Sequence, residues 1–376
     1  MKIGLITLHR VGNYGSVLQT YATQYMMEKL GHNVEVIDYY PERLRMIGML
    51  KRIKDRGELL SKSVLVRTIC RIIIFPSYVR RYKVFPDFSR KHIHLSSITY
   101  NTIEDLRNDP PQADIYCTGS DQVWNSGWNE KIEYPYFLDF VQTDANCFTY
   151  AASFGKSTLD DWEKDETARL LQKYKYISMR ETSGIEILKT LDINDAIQVL
   201  DPTLLLNKCD WEHLISKKYN DRKYILLYNI NRNKQLEKYA KKFAEQKKLP
   251  LYYMSYNYHD IIKSGKLIAC PTVEEFLSLI NNAQYILTDS FHVTAFSMNF
   301  EKQVLVYYPP KFSSRLESIV NLMGIDNRVI RNIQDFTIAD NPIDFAHVNK
   351  VLELQREYSI SYIKKALSLE KKQGDN

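Results

Sequence analysis

Short apolar and β-branched runs alternate with longer stretches of helical periodicity along most of this chain. In the first half the strand-like runs are KIGLITL (2–8), NVEVIDY (33–39), DIYCTG (114–119), CFTYAAS (147–153) and IQVLDP (197–202). Between the first two, residues 16–30 place Val17, Leu18, Tyr21, Ala22, Tyr25, Met26 and Leu30 on one side of a helix, and Gly31 suits its C-terminal end. Alternation of this kind predicts an α/β architecture with mainly parallel sheets.

The polar stretch NKCDWEHLISKKYNDRK (207–223) interrupts the pattern, which then restarts. Strands YILLYNI (224–230), PLYYMSY (250–256), QYILTDS (284–290) and QVLVYY (303–308) alternate with helices KQLEKYAKKFAEQKK (234–248), VEEFLSLINNA (273–283) and VTAFSMNF (293–300). The tail reads as helix, with Val348, Val351, Leu352, Tyr358, Ile363, Ala366 and Leu367 in periodic positions. The expected division is a first domain at 1–210, a second at 222–345 and a C-terminal helix at 346–376. A chain of 376 residues can bury two sizeable cores. Two such domains would face each other across a cleft, with ligands beyond the carboxyl ends of the strands.

Composition adds little to this, but charge does. Hydrophobic residues at 44% and charged residues at 26% describe an ordinary globular chain. KIGLITL begins at the second residue, so no leader is expected, and the apolar run RTICRIIIFPSYV (67–79) is interrupted by Arg71 and Pro76. The cysteines Cys70, Cys117, Cys147, Cys209 and Cys270 lie far apart with no C-x-x-C pair, which argues against zinc and for a reducing compartment. A cytoplasmic protein is therefore expected. The net charge of +6 is uneven: residues 43–91 hold fourteen Lys/Arg against Asp55, Glu58 and Asp87. Met46, Ile47, Met49, Leu50, Ile53 and the run Ile72–Phe75 interleave with these cations. The segment suits either a peripheral helical layer with a solvated face or contact with an anionic membrane at its inner face. Nucleic acid is not expected, because no recognised binding module is present.

Candidate chemistry sits where strands stop. HRVGNYGSVLQTYA (9–22) offers Gly12 and Gly15 for a tight turn and close approach, with Asn13 and Gln19 placed to face a cleft. CTGSDQVWN (117–125) brings Ser120, Asp121, Gln122, Trp124 and Asn125 together, and Trp128 follows. Amides and a carboxylate bond hydroxyls while an indole stacks on a pyranose, so this loop resembles a sugar-binding edge; a turn with Trp124 in the core is the plainer alternative. In ISMRETSGIEIL (177–188), Arg180 precedes a helix start, a setting that suits phosphate or carboxylate, against a simple Arg180–Glu181 charge pair. In ILTDSFHVTAFS (286–297), His292 falls in the first turn of a helix, where the dipole lowers its pKa and a proton can be shuttled near neutral pH. Lys311 and Arg315 follow the next strand. With Arg180 and His292 they would make a cationic cleft for a small polyanion.

As an ordered set, GNYGSVLQTYA, GSDQVWN, YAASFG, SMRETSG, LDPTLLL, TDSFHVTAFS and SSRLESIVNLMGIDNR resemble the polysaccharide pyruvyl transferase family, from Gly12 to Arg328. The resemblance implies two Rossmann-like domains in a GT-B-like arrangement, with the last helix packing back on the first domain. It implies phosphoenolpyruvate as co-substrate, no other cofactor and no metal. The acceptor would be a lipid-linked or nucleotide-linked sugar of a capsule or exopolysaccharide precursor, and the product a pyruvate ketal. The first domain would serve the acceptor through Asn13, Gln19, Gln122, Trp124 and Asn125. The second would serve the donor through Ser290, Lys311 and Arg315, helped by Arg180. His292 and Asp121 would act as acid and base. In one respect the chain departs from the family pattern, which has Arg-x-His where this sequence has Ser290-Phe291-His292, and a glycine where it has Val293. Lys311 is the expected substitute for the missing cation. A nucleotide-sugar glycosyltransferase and a non-catalytic assembly protein are the competing readings.

Overall fold

The computed structural model describes residues 1–56, 58–142, 144–309 and 314–368. The first sheet contains β1 (Lys2–Ile6), β2 (Asn33–Tyr39), β3 (Leu95–Tyr100), β4 (Ile115–Thr118) and β5 (Cys147–Thr149), all parallel in the order β3-β2-β1-β4-β5. A short pair, β6 (Ser178–Met179) and β7 (Ile197–Gln198), continues it through single bridges from Phe148 to Tyr176 and from Ala152 to Met179. The second sheet contains β8 (Ile225–Tyr228), β9 (Leu251–Ser255), β10 (Lys266–Ala269), β11 (Tyr285–Thr288) and β12 (Gln303–Val306). Its order, β10-β9-β8-β11-β12, is again wholly parallel and repeats the topology of the first. These are the two Rossmann-like units.

The strands β4, β8 and β9 are buried on both faces by flanking helices, which is why they read as unbroken apolar runs. In both sheets the winding reverses between the first and fourth strands. A crevice opens there at the carboxyl ends, between β1 and β4 in one unit and between β8 and β11 in the other. The two crevices face each other.

The units are joined by aromatic packing at the start of the helix Tyr14–Lys29. Tyr14 stacks on Phe276 at 4.3 Å and on Tyr256 at 5.3 Å, and its hydroxyl donates to the Pro271 carbonyl at 2.6 Å. The C-terminal helix, Phe345–Leu367, packs back on the first unit. Tyr362 donates to the Thr149 carbonyl in β5 at 2.8 Å, and the Leu200 amide donates to Ser359 at 3.0 Å.

The basic segment forms short helical turns, Met46–Lys51 and Glu58–Lys62, followed by the helix Val64–His92. Ile53, Ile74 and Tyr78 make a small apolar cluster of its own, separate from the main cores. Among the described residues no helix is long and apolar enough to cross a membrane.

Candidate active site

The switch-point crevices enclose a cavity of about 200 Å3. Each wall is the end of a different strand. Leu8, Val11 and Asn13 follow β1; Asp121, Gln122 and Trp128 follow β4; Ile230 and Asn231 follow β8; Asp289 to His292 follow β11; Arg315 lies beyond β12.

Two helices begin at this cavity. Asn13 caps Tyr14–Lys29 by accepting from the Gly15 amide at 2.8 Å, and Ser290 caps Phe291–Asn299 by accepting from the Val293 amide at 3.5 Å. The remaining amides of both first turns make a site for an anion. The helices come close because position 15 has no side chain: a Cβ there would overlap the His292 imidazole. His292 thus lies flat against the opposite domain's helix.

His292 Nε2 is buried without a hydrogen-bond partner among the described residues; the nearest carboxylate oxygen, Asp201 Oδ2, is 3.8 Å away. Burial lowers the His292 pKa, and the charges of Asp201 and Asp121 only partly oppose it. The free imidazole is therefore neutral at neutral pH. A bound anion would raise its pKa again and make it a proton donor.

Asp121 has a left-handed backbone, φ 70°, in the turn after β4, where a parallel bridge to Ala152 anchors it. Its Oδ2 accepts from Ser16 at 2.5 Å and its Oδ1 from the Gln122 amide at 2.9 Å. Burial works to raise its pKa, but the charges of Arg180 and Arg315 and the Ser16 hydroxyl outweigh it and hold Asp121 below the ordinary carboxylate range. Arg315 faces Asp121 across the cavity. With the Gln122 amide oxygen turned toward it, Gln122 accepts from Arg315 Nη1 and Nη2 at 3.0 and 3.1 Å. Burial and the nearby Arg180 lower its pKa, yet a guanidinium stays charged while the protein is folded. Arg315 Nε has no partner among the described residues.

The structure moves several expected residues out of the cavity. Arg180 lies behind it, buried, with Nη1 3.1 Å from Asp201 and 3.8 Å from Asp121, Nε 3.2 Å from Glu181, and its guanidinium over the Phe291 ring. Burial opposes its charge, but Glu181, Asp201 and Asp121 more than offset that and raise its pKa. Among the described residues the site is therefore acidic rather than cationic: Asp121, Glu181 and Asp201, with Asp289 in the wall, outnumber Arg180 and Arg315. Gln19 is wholly buried and donates to Thr7, Ser16 and Thr20 within the first unit, because the polar face of its helix turns onto β1. Trp124 is in the core, stacked on Phe137 at 5.2 Å with its indole N–H on the Tyr136 carbonyl. Asn125 is a buried helix cap for the Trp128 amide. Asn13, Asp121, Gln122, Ser290, His292 and Arg315 do line the cavity. Lys311 lies outside the described residues.

Other participants escaped the sequence reading. Trp128, backed by the Arg43 guanidinium at 4.8 Å, supplies the indole wall that Trp124 does not. Asp201, in LDPTLLL, accepts from the Thr203 amide and hydroxyl at 2.9 and 2.6 Å while holding Arg180. Asp289 accepts from the Ile230 and Asn231 amides and from Asn231 Nδ2 at 2.7, 3.0 and 2.9 Å, fixing the loop after β8. The only advance signals were an aspartate before a helix-starting proline and a second tryptophan in one loop.

The fold is shared with solved structures of low sequence identity. A UDP-N-acetylglucosamine 2-epimerase superposes with a TM-score of 0.55 at 11% identity, covering 100% of this chain and 97% of its own. A putative epimerase of that kind from Listeria monocytogenes gives 0.53 at 12%, covering 100% and 98%. The spinosyn forosaminyltransferase gives 0.52 at 11%, covering 98% and 99%. At such identities they establish the GT-B-like fold alone. Among curated proteins none matches this sequence. Residues 13–309, which carry every described wall of the cavity except Leu8, Val11, Arg315 and Leu316, match one family along their whole length. The chain belongs to the polysaccharide pyruvyl transferase family.

Proposed function

We propose that this enzyme transfers the pyruvyl group of phosphoenolpyruvate to two hydroxyls of a sugar in a surface-polysaccharide precursor, forming a ketal and releasing phosphate. The observation that carries the proposal is the unpartnered Nε2 of His292, held between two helix N-termini beside Arg315 and Asp121. An enol phosphate asks for that set. Its charges need Arg315 and the first-turn amides of both helices, and its CH2 carbon needs a proton donor.

His292, protonated once the anion is bound, delivers its proton to the CH2 carbon. Positive charge develops on the adjacent carbon, which a sugar hydroxyl attacks as its proton passes to a base, for which Asp121 in the cavity wall is the candidate. Phosphate then departs with cleavage of its bond to that carbon, and a second hydroxyl closes the ketal as its proton passes to the departing phosphate. Trp128, Asn13 and Gln122 would hold the sugar, which is carried on a lipid or a nucleotide. Such substrates place the enzyme on the cytoplasmic side.

The test is phosphate release from phosphoenolpyruvate with lipid-linked and nucleotide-linked sugars. Acceptor-dependent release supports the proposal. Release or exchange of nucleotide from a sugar nucleotide, with phosphoenolpyruvate inert, would move the site to glycosyl transfer. Binding of precursor without any turnover would make the protein a non-catalytic assembly component. Ser290→Arg, which restores the family's cation at the cost of a weak cap, is expected to tighten phosphoenolpyruvate binding.

A further inference from the structure

The helix Val64–His92 leaves a long apolar stripe in solvent. Leu65, Ile69, Ile72 and Val79 recur at helical spacing on one face, and Ile73 and Phe75 widen it. The stripe does not end with this helix. The turn Tyr258–Ile262 of the second unit packs against it, its Tyr258 amide donating to Ser77 at 3.0 Å, and adds Tyr258, Ile261 and Ile262 to the exposed apolar surface. Ile262 is 90% exposed and Ile72 68%. A patch assembled from two domains in this way is not a scatter of single surface residues.

Its electrostatic surroundings are mainly cationic; the acidic groups Glu58 and Asp260 are paired with Lys62 and Arg232. Residues 62–86 contain Lys62, Arg67, Arg71, Arg80, Arg81 and Lys83 and no acidic residue. Among the described residues, Arg67, Arg71, Arg80, Arg81 and Lys83 have no carboxylate partner. Arg67 and Arg80 are spent on backbone carbonyls, and Arg81 on the Gly12 carbonyl and the Tyr256 ring. A second copy of this chain would bring the same cations against these. An anionic surface would not.

We propose that this two-domain patch seats the protein on an anionic lipid bilayer, with the stripe and Ile261–Ile262 in the acyl boundary and the cations at the headgroups. The proposal goes beyond the donor chemistry and stands whether or not phosphoenolpyruvate is the donor. The same helix also borders the catalytic side. Tyr78, Arg81 and Phe85 line a narrow groove with Val11 and Gly12, and Val11 is also a wall of the cavity. A membrane-borne acceptor would therefore meet the enzyme on the side that leads to His292.

Flotation of the full chain with vesicles, in the absence of substrates, tests this. Binding is expected to vesicles of phosphatidylcholine mixed with phosphatidylglycerol, to weaken as salt is raised, and to be poor with phosphatidylcholine alone. The double variant Ile72→Glu, Ile262→Glu should lose at least ~tenfold in vesicle affinity, since both side chains are removed from the apolar contact. Arg67→Ser with Lys83→Ser should weaken binding without touching the apolar stripe, and so does not depend on the first variant folding. Wild-type protein that does not float, or variants that float equally well, would overturn the proposal. So would a lipid-free dimer in sedimentation velocity that the double glutamate variant dissolves, for the patch would then belong to a second copy.

Discussion

At the scale of single residues, the pairing of Gly15 with His292 determines how the cavity is built. Alanine at position 15 would force the imidazole aside or the helices apart. Gly15→Ala should therefore cost about 1–3 kcal/mol of stability, as overpacking does, and lower turnover by displacing His292. Chemical denaturation and a kinetic assay on one preparation would check both. Arg315→Ala is expected chiefly to raise KM, because a cation that grips phosphate equally in ground and transition states contributes uniform binding. The buried imidazole also has a pH signature. His292 has its folded pKa lowered, so the folded state favours the neutral ring. The contribution is complete above the unfolded pKa, about 6.5 for histidine, and is lost as pH falls below it. Thermal scans should show His292→Gln losing less stability than the wild type on acidification below that pH. A parallel pH profile for the two proteins would contradict the assignment of a buried neutral ring.

Residue identities were legible to different degrees for a physical reason. Strand ends were readable, so Asp121, Ser290 and His292 were placed correctly at the cavity. Which of two nearby indoles points inward depends on the turn between them. Trp124 found the Tyr136 carbonyl and Phe137, leaving Trp128 for the cavity. Arg180 was recognised as a cation beside a helix start. It forms the expected pair with its neighbour Glu181, but a second partner, Asp201, lies on a separate strand end, and no local pattern reveals that a carboxylate there will help bury it.

At the scale of elements, the central strands were visible as apolar runs, and the missed strands were edges or fragments. β3 and β10 lie at sheet edges with partly exposed faces, and β6 has two residues, so none carries enough apolar pattern to stand out. The C-terminal helix is tied to the first unit by a few polar bonds over an apolar face. Tyr362→Phe deletes the bond to the Thr149 carbonyl while keeping the ring, and should cost roughly 0.5–1.5 kcal/mol in equilibrium unfolding, without changing kcat.

Across the whole molecule, two copies of one topology set their switch points face to face, and the cavity exists only because both are present. His292 comes from one unit while Asp121 and the glycine it rests on come from the other. The proposal that His292 protonates phosphoenolpyruvate in this shared cavity is open to a single-turnover assay of wild type and His292→Ala with an authentic precursor, measuring phosphate release and pyruvylated product together. Both products are expected in equal amount from the wild type, and a rate for His292→Ala lower by ~10²–10⁴-fold, as for loss of a general acid. Near-normal turnover by His292→Ala, with its fold intact, would contradict it.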